Sequence, residues 1–522
     1  MLFARRTILI YSVIAFFLLN LYYLWSRNTR QIPFSPARQS QLWQRLQPLL
    51  EEYAPNCPPP ELNGSPGTPR FDAVNESPRS NHISNVDEIE LPMQAKHDGF
   101  VQAIRNAKLG SAYTPGTTGI VSSAGGTYLP TFLATVRLLR RTGSTLPVEL
   151  FMKDGSEYES TICEDILPPL GVKCVILSDI FAGEQQERSP NMESSSMPPI
   201  EGFQIKAFAI VFSSFENLLW LDADCAPLHD PATILTSDPF TSTGMVTWPD
   251  FWANTAAPVY FSISRQPAPL STTRQASEAG ILAISKSSHF LTLALAAYYN
   301  YYGPDYYYTL LDQGAPGAGD KDTFLQAATA LDEPFYAVSE RTADVGNITP
   351  WNSEVAINAG YLQADPIEDF ALTSSGIWRV KGEHPSSSPP SSSSGDTYPL
   401  QPSSTPPRAF FIHAGDPEFN PGNELLGEKL IGFDKKPTRM WSHPPEAMER
   451  IGFDAERVFW EETLYIACEL QPGFETWKGR EQRLCERVKA HWGAVFVKEE
   501  EEERDVVTGS EVAEDDYGDV WT

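Results

Sequence analysis

An α/β fold built on a mostly parallel sheet with helices on both faces is predicted by three features of this 522-residue chain. From Thr118 onward, short apolar runs alternate with helical periodicity. Gly and Pro punctuate the runs as turn signals. A hydrophobic share of 41% is enough for a sizeable core.

Arg5 and Arg6 close a short tail, residues 1–6, and an uncharged run follows from Thr7 to Trp25. Its 19 residues, at about 1.5 Å each, span roughly the 30 Å of a bilayer core, and no small-residue cleavage pattern follows. Tyr22, Tyr23 and Trp25 gather at one end as in an aromatic belt, so residues 7–25 are expected to be an uncleaved transmembrane anchor. Charge leaves its orientation nearly tied, with Arg5, Arg6 and the amino terminus against Arg27, Arg30 and Arg38. Residues 26–91 read as a stem without chemistry, broken up by Pro55, Pro58-Pro59-Pro60, Gly64, Pro66, Gly67 and Pro69. Asn63-Gly-Ser65 and Asn75-Glu-Ser77 are glycosylation sequons, which matter only in a lumenal setting.

Gly119-Ile-Val-Ser-Ser-Ala124 reads as a strand entering the Gly125-Gly126 turn. Leu129, Phe132, Leu133, Val136 and Leu139 share one helical face, with Arg137, Arg140 and Arg141 near the end where cations suit the helix dipole. Pro147–Met152 and Lys173–Leu177 are the next strands, and a helix from Gln204 to Ser214 leads into the strand Asn217–Leu221. The Tyr298–Tyr308 cluster reads as a helix end and packed loop rather than a sugar platform. Residues 385–407 are rich in Ser and Pro, lack apolar residues to pack, and are expected to form a disordered insertion. After His413, the segments around Trp441, Trp460 and Trp477 and the helical periods at Glu461–Cys468 and Gln482–Trp492 suggest a packed carboxyl-terminal extension. Cys163/Cys174 and Cys468/Cys485 are plausible local disulfides; no Cys-x-x-Cys metal spacing occurs.

The chain carries 67 acidic against 39 basic side chains, net −28. A clamp on nucleic acid or on anionic lipid is thereby disfavoured, because phosphate polymers are held by clustered Lys and Arg. Part of the excess is local, with eleven acids and one base in residues 499–522, and 496–522 reads as an acidic disordered tail.

Asp222-Ala-Asp224 stands just past the Leu218–Leu221 strand end, followed by Cys225-Ala-Pro-Leu-His-Asp230-Pro231. Two carboxylates two residues apart at a strand end can both reach one hard cation, Mn²⁺ or Mg²⁺, completed by water and phosphate oxygens. Bare Asp-x-Asp is common; its placement after three βα units gives it weight.

Across residues 119–413 the chain resembles the fungal Golgi α-mannosyltransferases of glycosyltransferase family 71. The resemblance is carried by Gly119-Ile-Val with Gly125-Gly126, Leu138-Leu-Arg140, Leu146-Pro-Val-Glu149, Gln204-Ile-Lys206, Phe215–Asp224, Trp248-Pro-Asp250, Glu278-Ala-Gly280 and Gly319-Asp-Lys-Asp-Thr-Phe324. It implies a GT-A type Rossmann-like mixed sheet over residues 92–495, a single-pass type II Golgi membrane protein with a lumenal enzyme, and Mn²⁺ or Mg²⁺ as cofactor. It further implies GDP-mannose as donor and α-1,2 or α-1,3 transfer, with retention, to a mannosyl glycan of glycoproteins or cell-wall mannan. On the same ground Asp222, Asp224 and His413 are expected at the metal, and Lys206 or Lys321 on the phosphates. Glu278 and Asp320 are expected as sugar-side carboxylates, with Gly280 giving the donor close access to the backbone. Trp248 and Asp250 are candidates for the acceptor, an indole stacking on a pyranose beside a carboxylate.

Other readings are a transferase using another nucleotide sugar and a non-catalytic carbohydrate-binding paralogue. A haloacid-dehalogenase-type phosphatase is disfavoured by Ala226, where that family normally has Thr or Val, and by the three strands that precede the motif.

Overall fold

The computed structural model describes residues 34–110, 112–183, 200–349, 352–375, 405–414, 420–423, 430–470 and 473–499. The expected anchor at 7–25, nearly all of the Ser/Pro tract and the acidic tail past residue 499 lie outside them. Among the described residues no helix is long and apolar enough to cross a membrane.

The expected stem is corrected first. Residues 36–91 are folded onto the body through helix α1 (Pro36–Glu52) and the start of α2 (Val86–Asn106). Leu42, Trp43, Leu46 and Leu50 recur at helical spacing on α1 and are buried, with Trp43 packed against Phe181, Phe208 and Phe212. On α2, Ile89, Met93, His97, Phe100 and Ile104 form the matching stripe. The proline-rich segment between the helices is tied down by bridges from Leu62 to Ile83 and from Arg70 to Trp252. The tyrosine cluster is a packed helix end, as expected. Its hydroxyls hold this amino-terminal segment, Tyr298 donating to Tyr53 O (2.8 Å), Tyr302 to Leu50 O (2.7 Å) and Tyr306 to Cys57 O (2.9 Å).

His97 joins α2 to the body through Tyr299, Nε2 to hydroxyl at 2.8 Å. Burial pushes His97 down to about 4, with Asp98 opposing and Arg265 adding to the effect. The unfolded chain therefore takes up a proton near pH 6.5 that the folded chain refuses until about pH 4. Stability from this residue is full above pH 6.5 and lost as pH falls to about 4. Urea melts should show a shallower acid limb for His97→Phe over that window, with a loss of about 1 kcal/mol at neutral pH from the missing hydrogen bond.

The main sheet has seven strands. Four run parallel in the order β3-β2-β1-β4: β1 (Thr114–Ser123), β2 (Val148–Met152), β3 (Val172–Ile176) and β4 (Phe215–Leu221). All five residues of β2 are buried, as a strand covered on both faces requires. The covering helices include α3 (Tyr128–Arg141) and α4 (Gln204–Phe212). Beyond β4 the direction reverses: β7 (Gln275–Ser285) pairs antiparallel with β4, β6 (Met245–Ala253) antiparallel with β7, and β8 (Tyr336–Ala337) parallel with β6. A second, antiparallel sheet has the order β5-β11-β10-β9: β5 (Cys225–Pro227), β11 (Ala409–His413), β10 (Asn352–Ala364) and β9 (Ala343–Thr349). Helices α5 (Lys286–Tyr301) and α6 (Thr323–Leu331) follow β7 and precede β8.

The carboxyl-terminal segment belongs to the same core as β1 and β11. Trp441 Nε1 donates to Ala359 O at 3.0 Å, and Trp477 Nε1 to Asn420 Oδ1 at 3.0 Å. Helices α7 (Ala455–Leu464) and α8 (Glu481–Trp492) carry the rest, and Glu462 and Glu461 of α7 pair with Arg137 and Arg141 of α3. Phe496 is fully buried and Glu499 meets Arg439 at 2.6 Å, so folded chain extends past 495, the limit expected from sequence. Both expected disulfides, Cys163–Cys174 and Cys468–Cys485, are formed.

Candidate active site

Strand order and register bring the site together. The parallel strands end at one edge of the sheet, and there β4 delivers Asp222 and Asp224. Because β7 runs the other way, its Glu278–Gly280 stretch reaches the same edge, where Asp222 N donates to Gly280 O at 2.9 Å. The second sheet supplies the remainder: β5 begins right after Asp224, His413 of β11 pairs with Cys225, and Tyr361 of β10 pairs with His413.

Asp222, Asp224 and His413 bring one potential ligand atom each within 4.8 Å of one another. Two carboxylates and an imidazole form a donor set suited to Mn²⁺, so the residues present fit a divalent cation. His413 Nε2 lies 3.1 Å from Asp224 Oδ1. Its Nδ1 is engaged from behind, by the Tyr361 hydroxyl at 2.6 Å and Glu278 Oε1 at 3.5 Å, which leaves Nε2 to face the cluster. Trp220 Nε1 donates to Asp222 Oδ1 at 2.7 Å and fixes that carboxylate. Burial works against the ionised form of Asp224, yet the His413 imidazole holds its carboxyl below the usual range.

Lys206 of α4 enters from below. Its Nζ is 3.2 Å from Asp222 Oδ1 and 3.0 Å from Asp320 Oδ2, and donates to Ala279 O at 2.6 Å. Burial disfavours the ammonium, but Asp222 and Asp320 overcome it and hold Lys206 above the ordinary lysine range. The cluster and Lys206 line one end of a cleft of about 610 Å³ that continues across β1 and β2 to Gly125, Lys153 and Glu157.

Several expected roles change. Lys321 is turned away from this cleft, its Nζ on Asp250 Oδ2 (3.1 Å) and Pro316 O (2.7 Å), which leaves Lys206 as the cation beside the cluster. Glu278 is occupied by His413, Tyr361 Oη (3.0 Å) and Gly280 N (2.6 Å), the position of an orienting group rather than a sugar-side carboxylate. What approaches Gly280 closely is His413: a Cβ there would meet the ring Cε1 at 2.6 Å. Asp320 is buried behind Lys206. Trp248 is core, 1% exposed, with Nε1 on Ala364 O at 2.9 Å and its ring edge-on to Phe411; Asp250 is consumed by Lys321. Gly280→Ala should displace the His413 ring and weaken Mn²⁺ binding roughly 10–100-fold by titration, with little change in secondary structure by circular dichroism.

Tyr361, Trp220 and Asp322 carry no sequence signal for what they do. Asp322 adopts φ 66° and accepts from Ser277 N (2.8 Å) and Oγ (2.9 Å). Asp320, Lys321 and Asp322 thus brace α4, β6 and β7 respectively, which ties the Gly319–Phe324 motif to three elements of the site.

Comparison with known proteins adds the family. A mannosyltransferase family model matches residues 117–275 and 269–365, the stretch that holds Lys206, Asp222, Asp224, Glu278, Asp320 and Tyr361. The chain is similar to this mannosyltransferase family over residues 117–365. The chain is 31% identical over 412 residues to the α-1,2-mannosyltransferase MNN21 of Candida albicans, covering 72% of this chain and 61% of the relative. It is 34% identical over 288 residues to the α-1,2-mannosyltransferase MNN2 of Saccharomyces cerevisiae, covering 48% and 46%. The chain therefore spans less than two thirds of the length of these mannosyltransferases. Among solved structures, the glycosyltransferase GlyE of Streptococcus pneumoniae TIGR4 is 13% identical, with 42% of this chain and 45% of that one covered and a TM-score of 0.27.

Proposed function

We propose that the cleft is the donor site of a metal-dependent, retaining α-1,2-mannosyltransferase that moves mannose from GDP-mannose to a mannosyl glycan. The observation that carries this reading is the meeting of Asp222, Asp224 and His413 beside Lys206 at the strand ends. The α-1,2 linkage follows the names of the relatives. With residues 7–25 as a membrane anchor, the enzyme works as a type II protein of the Golgi with its catalytic body in the lumen.

Asp222, Asp224 and His413 would hold the cation, which would supply positive charge against the departing diphosphate. Lys206 keeps a fixed positive charge at the floor of the same cleft, where the phosphates lie. Trp220 fixes Asp222, and Glu278 with Tyr361 keeps His413 facing the cluster. No residue is assigned as a general base, since the front-face transfer expected of a retaining enzyme does not require one.

A donor screen tests the reading. The full chain, with Mn²⁺ and an α-mannosyl oligosaccharide, should transfer sugar from GDP-mannose and leave UDP-galactose and UDP-N-acetylglucosamine untouched. The product should be open to an α-1,2-specific mannosidase. Transfer from a UDP-sugar instead would overturn the mannosyl assignment.

A further inference from the structure

The end of the cleft opposite the metal cluster contains a carboxylate that the transfer chemistry does not use. Glu157 lies in the turn after β2, and its Oε2 accepts the Lys153 N–H at 2.7 Å. Its carboxylate rests on the Gly125 backbone: a Cβ on Gly125 would meet Glu157 Cδ at 2.5 Å and Oε2 at 2.8 Å. The acid is thus held in place at the cleft wall, beside Tyr128, which is 45% exposed and lines the same end.

A negative charge there is misplaced for binding phosphate. It suits a neutral part of the ligand rich in hydrogen-bond donors, because a carboxylate is an acceptor through both oxygens and has capacity left after one backbone bond. Position says which part. From β4, which carries the metal cluster, to β2 is two strand spacings, roughly 10 Å at about 4.8 Å each. A nucleoside diphosphate anchored by its phosphates at β4 spans β1 with its ribose and reaches β2 with its base.

We propose that Glu157 reads the base, receiving the adjacent N1–H and N2–H donors of guanine, and so selects a guanosine over a uridine diphosphate sugar. This rests on the reading of the cleft as a nucleoside diphosphate sugar site. Guanine offers a carboxylate two neighbouring donors; uracil offers one N–H between two carbonyls, which the carboxylate repels. Gly125 is the enabling residue, since only a missing Cβ lets the carboxylate lie against the turn that closes β1.

Calorimetry on the full chain with Mn²⁺ tests this with GDP, IDP and UDP, IDP being the same nucleotide without the N2 amino group. The wild type should bind GDP about tenfold or more tightly than IDP, and both more tightly than UDP. In Glu157→Gln the GDP affinity should fall about tenfold or more and the GDP-to-IDP ratio should collapse towards one, while UDP binding is not weakened, because the charge that repels its carbonyls is gone. Glu157→Ala should behave alike, which separates the lost carboxylate from a new amide contact. An equal loss for all three nucleotides would assign Glu157 to the ribose hydroxyls and overturn the proposal, as would an unchanged GDP-to-IDP ratio. A wild type that prefers UDP would instead overturn the mannosyl reading, so the two failures are distinguishable.

Discussion

Asp224→Ala should lower mannosyl transfer by about a thousandfold or more, and raising Mn²⁺ should not restore it. The substitution removes one of the three ligands whose atoms lie within 4.8 Å of one another and deprives His413 Nε2 of its partner. What remains, Asp222 and His413, is an incomplete set in which Asp222 is also held by Lys206 and Trp220. The fold should persist, because Asp224 sits at the cleft and the strand before it is fixed by pairing with β1 and β7. A far-ultraviolet circular dichroism spectrum like the wild type's, with transfer lost, is the expected pair of results. Loss of the fold together with activity would mean that Asp224 is a structural residue.

The second large effect falls on stability. Lys286, at the start of α5, is 1% exposed and donates to Val211 O (2.9 Å) and Ser213 O (2.6 Å), where α4 hands over to β4. One residue on, the fully buried Glu149 of β2 accepts from Ser214 N at 3.0 Å and from its hydroxyl. Burial pushes Lys286 down, with Glu149 opposing, and pushes Glu149 up. Lys286→Met strands two carbonyls and leaves the carboxylate without its cation, which should cost about 3–5 kcal/mol in urea unfolding. Glu149→Gln added to Lys286→Met removes the uncompensated charge and should recover part of the loss. If the double variant is less stable by the sum of the single effects, the two groups do not act as a pair.

The parts legible in the sequence are those whose cause is local. Strands β1 to β4 announce themselves as apolar runs bounded by turns, and Asp222-Ala-Asp224 stands visibly at the end of one. The antiparallel half was less legible, because strand direction depends on connections rather than on composition. Tyr361 reaches His413 only through the register of β10 on β11, some 50 residues apart in sequence, and Trp220 acts through an indole N–H that reads as core packing. Around Glu278 and Gly280 the sequence pattern does not announce the neighbour that the structure places there, the His413 ring, which a Cβ on Gly280 would meet. Trp248 misled because an indole beside a carboxylate looks like a sugar platform, whereas β6 shifts register at Thr247/Trp248 and the ring lies against Phe411. In the expected stem, prolines between residues 55 and 69 obscured the helical stripes on either side, Leu42–Leu50 and Ile89–Ile104.

One cation between Asp222, Asp224 and His413 is expected to join the nucleotide to the protein. Electron paramagnetic resonance of free Mn²⁺, titrated with the full chain in the presence and absence of GDP, tests it most directly. The expected result is uptake of one Mn²⁺ per chain that tightens when GDP is added and disappears in Asp224→Ala. Equal Mn²⁺ uptake by Asp224→Ala, or GDP binding that survives removal of the metal by a chelator, would contradict it.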